Sequence, residues 1–189
     1  MSEISVMNDL SPSEYLEGEL HCDVRHEYID GQVYAMAGAG ERHNRIALNA
    51  AFHLRGAARG GACGVFMNDM KLHIPESNCF YYPDVMVTCN PADAEEYFKQ
   101  SPCLLIEVLS PSTATQDRRE KRLQYQGIDS LRYYLIISSD ERRVEVHERG
   151  DGGDWRAWVM MEGETLDVRC EGFEAELGLD GVYEDVGLV

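Results

Sequence analysis

The chain has 189 residues, 44% hydrophobic and 27% charged, which fits one domain with a substantial core and excludes a disordered or fibrous protein. No apolar stretch reaches the roughly 18–20 residues of a membrane span, and "MSEISVMNDL" lacks the basic start and apolar block of a signal peptide, so a cytoplasmic location without a membrane partner is expected. The net charge of −17 is concentrated at the ends, because residues 31–161 hold 17 acids against 15 bases, so it does not by itself exclude a nucleic-acid partner.

"SPSEYL" opens the fold with a short helix, since Ser11 can cap it, Pro12 suits the first helical position and Glu14 completes a capping box. "RHEYIDGQVYAMAG" predicts two short strands around the Asp30-Gly31 turn. From Glu41 to about Arg59, Ile46, Ala47, Ala50, Ala51 and Leu54 fall on one helical stripe, which predicts the first long helix. "MKLHI" (70–74), "FYYPDVMVT" (80–88) and "CLLIEVLS" (103–110) predict strands, and a second long helix runs from the Ser-Pro-Ser-Thr stretch to about Gln126, where Gly127 ends it. Four further strands, "RYYLIIS", "RRVEVHER", "DWRAWVMM" and "ETLDVRC", predict an antiparallel meander. The expected class is α/β, or α+β by a stricter definition. It has one central mixed sheet flanked by two long helices, in one domain over residues 1–189 with acidic N- and C-terminal segments.

Chemistry concentrates where acids interrupt apolar strands. Glu107 lies inside an otherwise buried run, a position that asks for a cation, a proton or an exposed strand end. Asp84 starts the preceding strand, and if the two strands pair, both carboxylates meet at one sheet edge. With the carbonyl of Val108 and waters they would make an oxygen site suited to Mg2+ or Mn2+; the alternative is a turn cap and an acid paired with arginine. Asp117, Lys121 and Tyr125 recur every four residues on the second long helix, where Lys121 either orients a metal-bound water or forms a surface ion pair with Asp117. Glu27 is a third candidate acid, and His43 faces inward or along the edge of the first long helix. Ser110 and Ser112 read as a helix cap whose free amides could hold a phosphate. Basic residues, Arg55 and Arg59 among them, cluster on the first long helix as phosphate contacts or a solvated face. No HExxH, GxSxG, Walker or Rossmann pattern is present. The six cysteines form no CxxC pair or zinc spacing and read as small buried hydrophobes in a reducing compartment.

"RHEYIDGQV", His43, "YYPDVMV", "LLIEVLSPST" and the D-x3-K-x3-Y helix followed by "GIDSLRYYLI" together resemble the Uma-two family of restriction-endonuclease-like proteins, from about Glu14 to about His147. The resemblance implies the PD-(D/E)XK nuclease fold and a metal-dependent phosphodiesterase that uses Mg2+ or Mn2+ on DNA, with Asp84 and Glu107 as metal ligands. The lysine that the wider superfamily places two residues after the second acid is Leu109 here, and Lys121 takes its role. Glu27 matches an early family glutamate that orients the lysine or binds a second metal. A catalytically idle binding protein and a homo-oligomeric module, a dimer first of all, are the other functions such a chain supports.

Overall fold

The computed structural model describes residues 9–109 and 114–188, with the main chain alone for 114–119. Helix α1 (Pro12–Glu19) has the expected capping box: the Glu14 amide donates to the Ser11 hydroxyl (3.3 Å) and the Ser11 amide to the Glu14 carboxylate (3.0 Å). Strands β1 (His26–Ile29) and β2 (Gln32–Ala35) form the hairpin, and Asp30 and Gly31 both take positive φ, 44° and 89°, as a tight two-residue turn requires. Helix α2 (Glu41–Ala57) buries the predicted stripe from Ile46 to Leu54. Then come β3 (Gly64–Met67), β4 (Lys71–Ile74), β5 (Cys79–Tyr81), β6 (Val85–Thr88), β7 (Phe98–Lys99) and β8 (Pro102–Leu109). Helix α3 (Ala114–Gln126) leads to β9 (Tyr133–Ser138), β10 (Val144–Arg149), β11 (Trp155–Val159), β12 (Thr165–Cys170), β13 (Phe173–Gly178) and α4 (Leu179–Val182).

The expected single central sheet is divided. One sheet has the order β2-β1-β5-β4-β7, a second β11-β10-β9-β8-β6-β3, and β12-β13 stand as a separate hairpin. The predicted strand 80–88 breaks at Tyr82-Pro83-Asp84, so β5 lies in the first sheet and β6 in the second; Pro83 has no N–H to continue a ladder. Both larger sheets are mixed, through the parallel pairs β4–β7 and β8–β9. The meander holds for β9, β10 and β11, but β12 leaves it to pair with β13. The acidic C-terminal stretch, for which the sequence predicts no element, forms β13 and α4. Tyr183 there ties back to the second sheet by donating to the carbonyl of Ser138 (2.8 Å).

Strand β8 is buried along its whole length, and its alternation assigns its two faces. Leu104, Ile106 and Val108 join Ile46, Ala50 and Leu54 of α2 and Leu177 of β13 in one core cluster. Leu105 and Leu109 join Tyr81 of the first sheet and Tyr125 of α3 in another. Glu107 shares the second face, so it points into the layer between the two sheets, beneath α3.

The cysteines depart from expectation. Cys79 is free and buried, as predicted, but Cys22 is exposed, Cys63 is bonded to Cys89 and Cys103 to Cys170. The partners are 26 and 67 residues apart. Strand pairing brings the first pair together, since the register Gly64–Thr88 sets Cys63 opposite Cys89 one residue further on, whereas Cys103 and Cys170 lie on strands of different sheets.

Candidate active site

Strands β6 and β8 are antiparallel with Val85 opposite Ile106, which sets Asp84 beside Glu107 at one end of the pair. The break at Pro83 releases Asp84 from the ladder, and its Oδ2 accepts the Val108 amide at 2.7 Å. The carbonyl of Val108 faces the same side of β8 as that amide, because both groups of one strand residue point the same way. His43, in the first turn of α2, places Nε2 3.2 Å from the same Asp84 oxygen.

Glu107 is 4% exposed. Its Oε1 accepts the Tyr125 hydroxyl at 2.7 Å and lies 3.5 Å from Lys121 Nζ. The i,i+4 spacing of Lys121 and Tyr125 on α3 delivers both side chains to one acid. Lys121 also lies 2.7 Å from Glu27 Oε1 on β1, so its amine bridges acids from the two large sheets. It stands 5.5 Å from the centroid of the Tyr81 ring as well. Strand β1 is anchored for this by α1: Tyr15 donates its hydroxyl to the His26 carbonyl (2.6 Å), and Glu19 accepts the His26 amide (2.8 Å) and the Tyr82 hydroxyl (2.9 Å).

The electrostatics follow from burial and crowding. Desolvation raises the Glu107 carboxyl; the Lys121 amine opposes this, the charges of Asp84 and Glu27 reinforce it, and the value is pushed up to about 7. For His43, burial works against the charged ring. The hydrogen bond to Asp84, the charges of Asp84 and Glu107 and the Val108 main chain outweigh it, and the imidazole is held above its ordinary value. Burial beside Glu107 keeps the Tyr125 phenol neutral and donating.

Asp84, Glu107, Val108, His43 and Lys121 line one open pocket of about 560 Å3. Residues that sequence reasoning missed line it too: Tyr82, Arg42, Ser139 and the Gly38-Ala39-Gly40 entry to α2. The only signal for that entry was the glycine-rich run before Glu41, which brings the first amides of α2 to the cavity. Arg55 and Arg59 lie at the other end of α2, ~20 Å from Arg42 at 1.5 Å per residue. Asp117 falls on α3, but its side chain, like Ser110 and Ser112 entirely, lies outside the described residues.

Residues 12–180 match the Uma2 family, described as "putative restriction endonuclease". The chain belongs to the Uma2 family. Two proteins of Synechocystis sp., Uncharacterized protein slr1290 and Uncharacterized protein sll1609, are 35% and 33% identical to it. These matches cover 92% and 89% of this chain and 91% and 96% of theirs. A crystal structure from Anabaena variabilis, described as a "putative nuclease belonging to DUF820", superposes with a TM-score of 0.72 at 16% identity, covering 94% of this chain and 99% of that one. The fold is therefore restriction-endonuclease-like, a mixed α+β architecture.

Asp84 and Glu107 bring carboxylate oxygens, and Val108 its main chain, to one pocket. Carboxylate and carbonyl oxygens are donors that hard divalent cations prefer. The residues present fit Mg2+ or Mn2+.

Proposed function

We propose that this Uma2-family protein is a metal-dependent endonuclease that hydrolyses DNA phosphodiester bonds. The observation that carries the reading is the convergence of Asp84, Glu107 and Lys121 on one pocket, with Glu27 of the other sheet paired to the Lys121 amine. The family description and the nuclease-like fold of the Anabaena protein support it.

Asp84, Glu107 and the Val108 carbonyl would hold Mg2+ or Mn2+, which when bound neutralises charge on the scissile phosphate and lowers the pKa of a coordinated water. Lys121 positions the attacking water and meets negative charge that develops at the phosphorus. Glu27, on its other side, holds the amine in place, so that Lys121 fills the role that a lysine two residues after Glu107 would otherwise take. Tyr125 fixes one Glu107 oxygen, and His43 fixes one oxygen of Asp84. Arg42, which lies 4.0 Å from Asp140, and the first amides of α2 offer the cavity donors for the flanking phosphate. A cytoplasmic location is part of this reading, and a homodimer would present two such pockets to one duplex.

Purified protein incubated with supercoiled DNA and Mg2+ or Mn2+ should nick it, and EDTA should stop the reaction. Cleavage of RNA alone would move the substrate assignment, and metal-independent cleavage would overturn the chemistry.

A further inference from the structure

At the far end of the two strands that carry the acids lies a second cluster. Cys103 is four residues before Glu107 on β8, ~13 Å away at 3.3 Å per residue. Around it four cysteines converge from four separate segments: Cys63 before β3, Cys89 after β6, Cys103 on β8 and Cys170 at the end of β12. They form two disulfides, Cys63–Cys89 and Cys103–Cys170, and the disulfides abut, with Cys89 Sγ 3.9 Å from Cys103 Sγ.

That 3.9 Å separation has a chemical meaning. Four sulfurs placed tetrahedrally at ~2.3 Å from a zinc ion are ~3.8 Å apart, so Cys89 and Cys103 already sit at one edge length of a tetrathiolate site. All four cysteines line one open pocket of about 810 Å3, which gives an ion a way in. Arg132, Arg149 and Arg169 line it as well, against the acids Asp129 and Glu171. Arg149 is held by the main-chain carbonyls of Ile128 (3.0 Å) and Asp129 (2.9 Å), while Arg132 pairs with Asp151 (2.9 Å) and Arg169 with Asp167 (3.5 Å). A zinc ion with four thiolates carries a net double negative charge, which Arg149 would offset in part. A cytoplasmic chain would moreover hold these cysteines as thiols.

We propose that in the reduced chain Cys63, Cys89, Cys103 and Cys170 form a tetrathiolate zinc site that pins the β12–β13 hairpin to the end of the second sheet opposite the acids. A dithiol reductant delivers two electrons and two protons to each S–S bond and becomes its own cyclic disulfide, leaving four thiols. Zn2+ then displaces their four protons and forms four Zn–S bonds, with no change of oxidation state.

The test uses the full chain, reduced with a dithiol, freed of reductant without air and loaded with Zn2+ or Co2+. One metal per chain should bind, Cys63, Cys89, Cys103 and Cys170 should alkylate more slowly with metal than without, and the cobalt form should show the thiolate-to-metal charge-transfer bands of a tetrahedral four-sulfur site. Cys103→Ser should lose the metal, whereas Cys22→Ser and Glu107→Ala should keep it. If Cys103→Ser fails to fold, the cobalt spectrum of the wild type decides alone, because only cysteine ligands produce those bands. Metal retained in Cys103→Ser and lost in Glu107→Ala would place it at the acids. Loss in Cys22→Ser would place it at Glu19, Cys22 and His26, whose ligand atoms lie within 4.8 Å of one another. Either result, or reduced thiols that bind no metal, overturns the proposal. None of these readouts depends on DNA cleavage.

Discussion

Replacing Glu107 with Gln should stabilise the metal-free protein at alkaline pH. In the unfolded chain this carboxyl titrates near its ordinary 4.5, and in the fold near 7. Between those values the native state holds a proton that the unfolded state lacks, so stability is highest below 4.5, falls as pH rises through the interval and levels off above about 7. At ~1.4 kcal/mol per pH unit the interval corresponds to ~3 kcal/mol, an upper bound because Lys121 loses one of its two acidic partners in the variant. Gln keeps the size of the side chain and an acceptor for the Tyr125 hydroxyl, but it cannot ionise. Urea unfolding of both proteins in EDTA at pH 5 and pH 8 reads the difference. The wild type should lose between ~1 and ~3 kcal/mol more than Glu107→Gln over that range, at unchanged m-value. Parallel pH dependences would refute the claim that burial holds the Glu107 carboxyl above its ordinary value.

Metal should reverse that loss: Mg2+ at 100 times its dissociation constant should stabilise the wild type by ~2.7 kcal/mol, and Asp84→Asn should abolish most of the gain, read as a melting-temperature shift. Tyr125→Phe removes the 2.7 Å bond to a charged acceptor, so it should cost ~1.5–3 kcal/mol at pH 8 and less at pH 5, by the same urea assay. The His43 imidazole should titrate above its ordinary 6.5 by NMR and fall back in Asp84→Asn; its stabilising effect is fully present below 6.5 and lost as pH rises through the folded value. Arg42→Ala should weaken DNA binding and reduce its salt dependence more than Arg55→Ala does, because Arg42 lines the acidic pocket and Arg55 lies at the far end of α2.

The features legible in the sequence were local or periodic. Ser11 and Glu14, the Asp30-Gly31 turn and the stripe from Ile46 to Leu54 announce their elements because capping, turn geometry and helical period act over a few residues. Glu107 was conspicuous because an acid in an apolar strand is costly, and Lys121 and Tyr125 followed from one helical spacing. What depends on long-range register was hidden. The ion pair between Glu27 and Lys121 needs α1 to anchor β1 through Tyr15 and Glu19. The division into two sheets turns on Pro83, which pattern reading absorbed into one strand. Arg42 and Tyr82 reach the pocket only once α2 and the chain after β5 are placed, and the four cysteines meet only once β3, β6, β8 and β12 are assembled.

The central claim is that Asp84, Glu107 and Lys121 act together on a phosphodiester, and it is tested most directly by comparing single-turnover DNA cleavage in wild type, Glu107→Ala and Lys121→Ala, purified identically and assayed with saturating Mg2+ or Mn2+. Metal binding and water positioning work as one unit, so each variant should lose orders of magnitude in rate, and together they should lose little more than either alone. Cleavage that persists undiminished in Glu107→Ala, or a wild type that binds DNA without cutting it, would contradict the account.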